Sequence, residues 1–245
     1  MWKNIGSTQS ESFIERHFGK KSDLTLRDFT KPVITVSRSE GAGGHTVASD
    51  LAEYLEIHIP SHDPWTVFDR NLVEKVLEEH KLHKHVADFM KEGHKGTVTD
   101  AFEEFIGLHP SAWTLLEKTN ATILNLALVG NVILVGRGAN VVTGELPNVF
   151  HVRLVGSLEK RIEQVQKVYN LDRKSAVNFI KKEDEGRRRY LKDNFDKDID
   201  DPLLYHIVVN TDLVLHKEAA RFIGDEVIKR FKLNNPVNKT GISSF

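Results

Sequence analysis

The chain contains no cysteine. That excludes disulfides, thiolate nucleophiles and thiolate metal sites, and leaves hydrophobic burial, hydrogen bonds and ion pairs to hold the fold. No apolar run approaches the roughly 18 residues that a membrane span requires, so no spanning segment is expected. Neither sign of charge prevails: 34 Lys and Arg stand against 35 Asp and Glu, for a formal net charge of −1. Without a global basic field, neither nucleic acid nor an anionic membrane is an expected partner, and local arginine clusters must meet any anion. Residues 1–31 carry acids and lack the apolar core of a signal peptide, so a cytoplasmic protein is the expectation.

What is present suits one globular domain with insertions: 245 residues, 40% of them hydrophobic, enough to bury a sizeable core. Residues 1–31 read as an appended N-terminal arm, residues 32–232 as the domain, and 233–245 as a polar tail. Short β-branched or apolar runs at 33–36, 132–135, 149–155 and 207–209 are expected strands, with a further short strand at 56–60. Helical spacing marks 45–56, 71–81, 113–128, 158–168, 175–190 and 218–231. Residues 82–112 are polar and His-rich and are read as a helical insertion, lid-like or dimer-forming; 170–200 is read as a lid. Four histidines there and nearby, His80, His83, His85 and His94, lack the spacing of a zinc site. Strands alternating with helices predict an α/β fold with a parallel sheet, its ligands beyond the carboxyl ends of the strands.

Those ends carry the unusual residues. The run Val33-Ile34-Thr35-Val36 leads through Ser37-Arg38-Ser39-Glu40 into Gly41-Ala42-Gly43-Gly44-His45-Thr46. Glycines let backbone N–H groups crowd around phosphate oxygens, and the helix that follows adds its positive end. Set against G-x-x-x-x-G-K-[ST], the final Gly is Gly44, the Thr is Thr46, His45 replaces the lysine and Ser39 the first glycine. Histidine is shorter than lysine and mostly neutral near pH 7. A dinucleotide fingerprint fails because Thr46 stands where its third glycine belongs. A tight turn without a ligand is the plainer alternative. Gly136-Arg137-Gly138 leaves the end of a second apolar strand, and Arg187-Arg188-Arg189 lies on a charged helix where Asp184 can pair with Arg187 or Arg188.

With these residues the chain resembles the cytidylate kinase-like proteins, relatives of the nucleoside monophosphate kinases. The resemblance covers roughly residues 32–230. It rests on Ile34-Thr35-Val36-Ser37-Arg38 with Gly41, Gly43 and Gly44, then on Phe68-Asp69-Arg70 and Val135-Gly136-Arg137-Gly138-Ala139-Asn140. Arg161, Asp184 with Arg187 and Tyr190, and Asp201-Pro202 to Asn210-Thr211 complete it. Many members carry Arg where this chain has His45.

The resemblance implies a three-layer P-loop NTPase-type sheet with a helical lid. It also implies transfer of the ATP γ-phosphate to a nucleoside monophosphate, CMP-like, with Mg²⁺. Gly41, Ala42, Gly43, Gly44, His45 and Thr46 would hold the donor phosphates, with Thr46 on Mg²⁺ and Arg161 adding a phosphate contact. Arg137 would grip the acceptor phosphate, Asp69 would orient the acceptor or a Mg²⁺-bound water, and Arg187 and Arg188 would close from the lid. Each has a plain structural alternative: Arg137 as a carboxylate-capped surface residue, Asp69 as a helix cap, the arginine run as a solvated face. Two other functions stay open: a catalytically weak or inactive nucleotide sensor of the same fold, and a kinase for another small acceptor. Homodimerisation also stays open.

Overall fold

The computed structural model describes residues 31–59, 63–69 and 112–233, with side chains from 116 onward in the last stretch. Residues 1–30 of the arm, the expected helix at 71–81, Arg70, most of the 82–112 insertion with its histidines, and nearly all of the polar tail lie outside the described residues.

Strand β1 (Val33–Arg38) is buried along almost its whole length. It pairs in parallel with β3 (Val132–Val135) on one side and β4 (Val149–Val155) on the other. Strand β2 (Thr66–Phe68) lies outside β3, and β5 (Ile207–Asn210) outside β4, giving the order β2-β3-β1-β4-β5, all parallel. Strands covered on both faces need continuous apolar runs, as β1, β3 and β4 have.

On one face Ile34, Val36, Ile133, Phe150, Val152 and Leu154 pack against α1 (Gly44–His58) and the C-terminal helix α6 (His216–Arg230). On the other, Val33, Val132, Leu134 and Val149 meet Ile123, Leu126 and Ala127 of α2 (Ala112–Val129) and Ala139 of the short α3 (Ala139–Val142). Helices α4 (Leu158–Tyr169) and α5 (Arg173–Phe195) form a hairpin with a small core of Ile162, Val165, Ala176 and Ile180. Its turn uses Asn170 at φ 54° and the Asp172 cap, whose carboxylate accepts from the Ser175 N–H. No helix among the described residues is long and apolar enough to cross a membrane.

The strand expected at 56–60 is not formed. Leu55 continues the buried stripe of Val47, Ala48 and Leu51, so α1 runs on to His58 and closes with the Ile59 N–H on the Leu55 carbonyl. The outer strand begins instead at Thr66, where Glu56 accepts the Trp65 N–H at 3.0 Å. Helix α5 exceeds its expected 175–190 at both ends, because Asp172 caps it and its last turn is polar, which apolar periodicity does not register.

The chain leaves β1 toward β2 and leaves β3 toward β4, in opposite directions across the sheet. Connections that diverge from neighbouring strands open a crevice beyond their carboxyl ends. The Gly41–Gly44 loop follows β1 and Gly136–Gly138 follows β3, so both face that crevice.

One buried polar group ties the sheet's centre to acidity. His151 on β4 lies 2.8 Å through Nδ1 from the Thr35 hydroxyl, and its N–H donates to Nδ1 of His206. Burial, reinforced by the charges of His206 and Arg230, pushes the His151 imidazole down to about 4 from 6.5. Between those values the unfolded chain binds a proton that the native one refuses, so stability falls as pH falls. The stabilisation present above pH 6.5 is expected to drop by about 3 kcal/mol as pH approaches 4. Urea-unfolding midpoints across this range measure it, and His151→Asn is expected to flatten the profile.

Candidate functional site

The loop's shape follows from its contacts. Gly41 and Gly43 hold φ of 83° and 80°, the left-handed region in which a side chain is strained. A Cβ on Gly41 would lie 2.6 Å from the Arg161 carbonyl oxygen, and one on Gly43 would run into the His216 ring. The loop is thus pressed between α4 and α6, and burial pushes the His216 imidazole below its usual range. Within the loop the Ala42 N–H donates to the Ser39 carbonyl. Gly43 is the N-cap of α1 and supplies no side-chain cap. The first-turn N–H groups of a helix have no intrahelical acceptors, so this end presents donors and a positive dipole. Ala42 is buried behind the loop, Thr46 is half-buried in that turn and His45 projects outward.

Glu40, immediately before the glycines, is held on every polar group. Its N–H donates to Asp184 Oδ1 at 2.7 Å, and its carbonyl accepts from Arg161 Nη1 at 3.1 Å. Its carboxylate accepts from Arg187 Nη2 at 2.5 Å, with side chains 13% and 6% exposed. Arg161 also reaches Asp184 at 2.6 Å and the Gly156 carbonyl at 3.0 Å, and Arg187 lies 3.4 Å from Asp184 and 3.5 Å from Glu183. Sequence spacing anticipates the Asp184–Arg187 pair. Arg188 departs from the alternative pairing: it donates to Asp200 at 2.8 Å and is half-exposed.

A second cluster sits at the ends of β1 and β4. Arg153, almost fully buried, donates to Ser37 Oγ at 3.0 Å and to Asp200 at 2.8 Å, and its guanidinium lies 6.0 Å from the Tyr205 ring centroid. Burial opposes ionisation of Asp200, but hydrogen bonds and charges from Arg188 and Arg153 outweigh it and hold the carboxyl below its ordinary range. Neither Arg153 nor Glu40 carries an expected role. Their signals were available: Arg153 is an arginine with apolar strand residues on both sides, and Glu40 is the acid abutting the loop glycines.

The remaining expected residues flank the loop. Asp69, just past β2, lies 3.1 Å through its carboxylate from His45 Nδ1. Gly136, Arg137 and Gly138 take φ of 84°, 57° and 66°, a left-handed turn that Phe195 of α5 covers at Gly138. Arg137 is partly buried at this strand end. Sequence expectation and structure thus bring the loop, Asp69, Arg161 and Arg187 into one linked arrangement. Arg137 stands at the neighbouring strand end, and Arg188 belongs to the Asp200 cluster.

The sequence profile of the cytidylate kinase-like family matches residues 33–213. None of the curated proteins matches the chain. Among solved structures, an uncharacterized protein from Eubacterium ventriosum superposes with a TM-score of 0.55 at 21% identity, covering 82% of this chain and 99% of its own. A Thermus thermophilus protein matches at 14% identity with a TM-score of 0.42, covering 80% and 97%. At 21% identity the likeness to the first shows the fold alone.

Gly41→Ala tests how tightly the loop is seated. The left-handed φ and the contact with the Arg161 backbone together are expected to cost about 1–3 kcal/mol, read as a lowered urea midpoint with the transition slope unchanged.

Proposed function

The chain belongs to the cytidylate kinase-like family, and from that premise we propose that it transfers the γ-phosphate of ATP to a nucleoside monophosphate, with CMP the expected acceptor. The observation that carries this reading is the uncapped helix end behind the Gly41–Gly44 turn, set beside an arginine-bearing turn at the adjacent strand end. Phosphoryl transfer asks for two phosphates held in line, little water, and positive charge around the migrating group. In this reading the N–H groups of Gly43 to Thr46 bind the donor phosphates, and Arg137 takes the acceptor phosphate with its planar fork. A hydroxyl on α1's first turn and a carboxylate on the facing loop are hard oxygen donors, a set that fits Mg²⁺. Thr46 would hold the ion, with Asp69 beside it, and the metal when bound would neutralise phosphate charge.

Arg188, half-exposed on α5, is the lid arginine assigned to the migrating phosphate. Arg161 and Arg187, both committed to carboxylates, act by fixing the loop. His45 gives the second reading its support. Paired with Asp69 in place of a long cation, it suits a nucleotide sensor that binds ATP and turns over weakly or not at all.

A panel of nucleoside monophosphates with ATP and Mg²⁺, read by ADP release, separates the two. Turnover with one acceptor favours the kinase, and ATP binding without turnover favours the sensor. In the kinase, Arg137→Ala is expected to lower acceptor turnover by about tenfold or more through loss of a charge-assisted contact; unchanged ADP release would remove that role. His45→Lys, which restores the reach and charge of the usual cation, is expected to raise the turnover rate by about threefold or more.

A further inference from the structure

We propose that Glu40 is the positioning residue of the phosphate-binding loop, fixing Gly41–Gly44 in its accepting shape and coupling it to the lid helix α5. This rests on the reading of the loop as a donor-phosphate site and assigns a role to a residue outside the glycine signature. A loop of three glycines in four residues has many conformations to lose, and a ligand that must order it loses affinity accordingly. Here the ordering is done beforehand. The peptide units on both sides of Glu40 are fixed, one by Asp184 at 2.7 Å and the other by Arg161 at 3.1 Å. The side chain is fixed by Arg187 at 2.5 Å. The partners are 121 to 147 residues away in sequence and lie on α4 and α5. Gly41 then follows with its Cα against the Arg161 backbone. Position is passed from the α4–α5 hairpin through Glu40 to the glycines, so a displacement of α5 must carry the loop with it or break a buried ion pair.

Two measurements on the full-length chain test this. The first is equilibrium binding of Mg-ATP and the KM values for ATP and for acceptor, in Glu40→Ala, Glu40→Gln and Glu40→Asp. The second is hydrogen–deuterium exchange of the peptide spanning residues 39–47 without nucleotide. Glu40→Ala is expected to weaken Mg-ATP by about tenfold or more, to leave the acceptor KM within about twofold, and to speed exchange in that peptide. Glu40→Asp, which keeps the charge, recovers part of the affinity. Arg187 retains Asp184 and Glu183 in these variants; should Glu40→Ala not fold, the near-isosteric Glu40→Gln carries both measurements. Unchanged ATP affinity with unchanged exchange overturns the proposal, as does a parallel rise in both KM values. A wild-type chain that binds no nucleotide overturns the donor-site reading instead, and the exchange experiment then decides by itself whether Glu40 fixes the loop.

Discussion

Glu40 and Arg187 meet where water barely reaches, and that pairing organises the crevice end of the molecule. Taking either charge out of water unpaired costs several kcal/mol. The arrangement therefore balances three carboxylates, those of Glu40, Asp184 and Glu183, against the guanidinium groups of Arg161 and Arg187. Such clusters add little net stability compared with apolar packing, but the geometry that satisfies them is narrow. Helix α5 therefore has one register against the loop, and α4 is drawn in through Arg161. The hairpin's own apolar core of Ile162, Val165, Ala176 and Ile180 is small, so the ion pairs, rather than packing, specify where it sits on the sheet.

The sheet supplies what the charges require. Because β1 is flanked by β3 and β4, three strand ends deliver their loops to one crevice: the glycine loop, the Gly136–Gly138 turn, and Arg153 with the segment that follows it. Asp200 repeats the logic of Asp184: its carboxylate is shared between the buried Arg153 and the exposed Arg188. Asp184 between Arg161 and Arg187, and Asp200 between Arg153 and Arg188, hold four guanidinium groups in defined directions. Arginine can be stored this way because it stays charged and its planar fork meets a carboxylate as readily as a phosphate.

The sheet was legible in the sequence because its strands are buried on both faces and read as unbroken apolar runs; the limits of β3 and β4 match their expected positions. The error at 56–60 came from a helix whose last turn carries an exposed Ile57 beside the buried Leu55, so its apolar residues do not by themselves separate helix from strand. The glycine loop was legible because left-handed backbone and close approach admit few other residues. Its partners were not. Which arginine meets which acid depends on contacts up to 147 residues apart, and local spacing could suggest Asp184 for Arg188 but could not reveal Asp200 as a competitor. Glu40 escaped assignment because an acid beside a phosphate loop is electrostatically unfavourable until its own arginine is seen.

A phosphate loop ordinarily places a long cation where this chain has His45. Here the ring leaves the first turn of α1 more than half exposed and paired with Asp69. A carboxylate beside the ring offsets whatever positive charge the ring would bring, so the loop contributes mainly backbone donors and the helix dipole. Under the proposed transfer, the balance of charge around a migrating phosphate must then come from arginines carried by other elements. Arg161 and Arg187 lie nearest the loop backbone but serve Glu40 and Asp184. Arg188 lies where solvent already reaches it, and it leaves only a half-exposed partner, Asp200, if it turns toward a phosphate. Exchanging one anion for another at an exposed guanidinium costs far less than opening a buried pair. The arginines thus differ in commitment: Arg161 and Arg187 hold the loop through Glu40 and Asp184, whereas the exposed Arg188 holds only a half-exposed carboxylate, the one that the proposed transfer draws on.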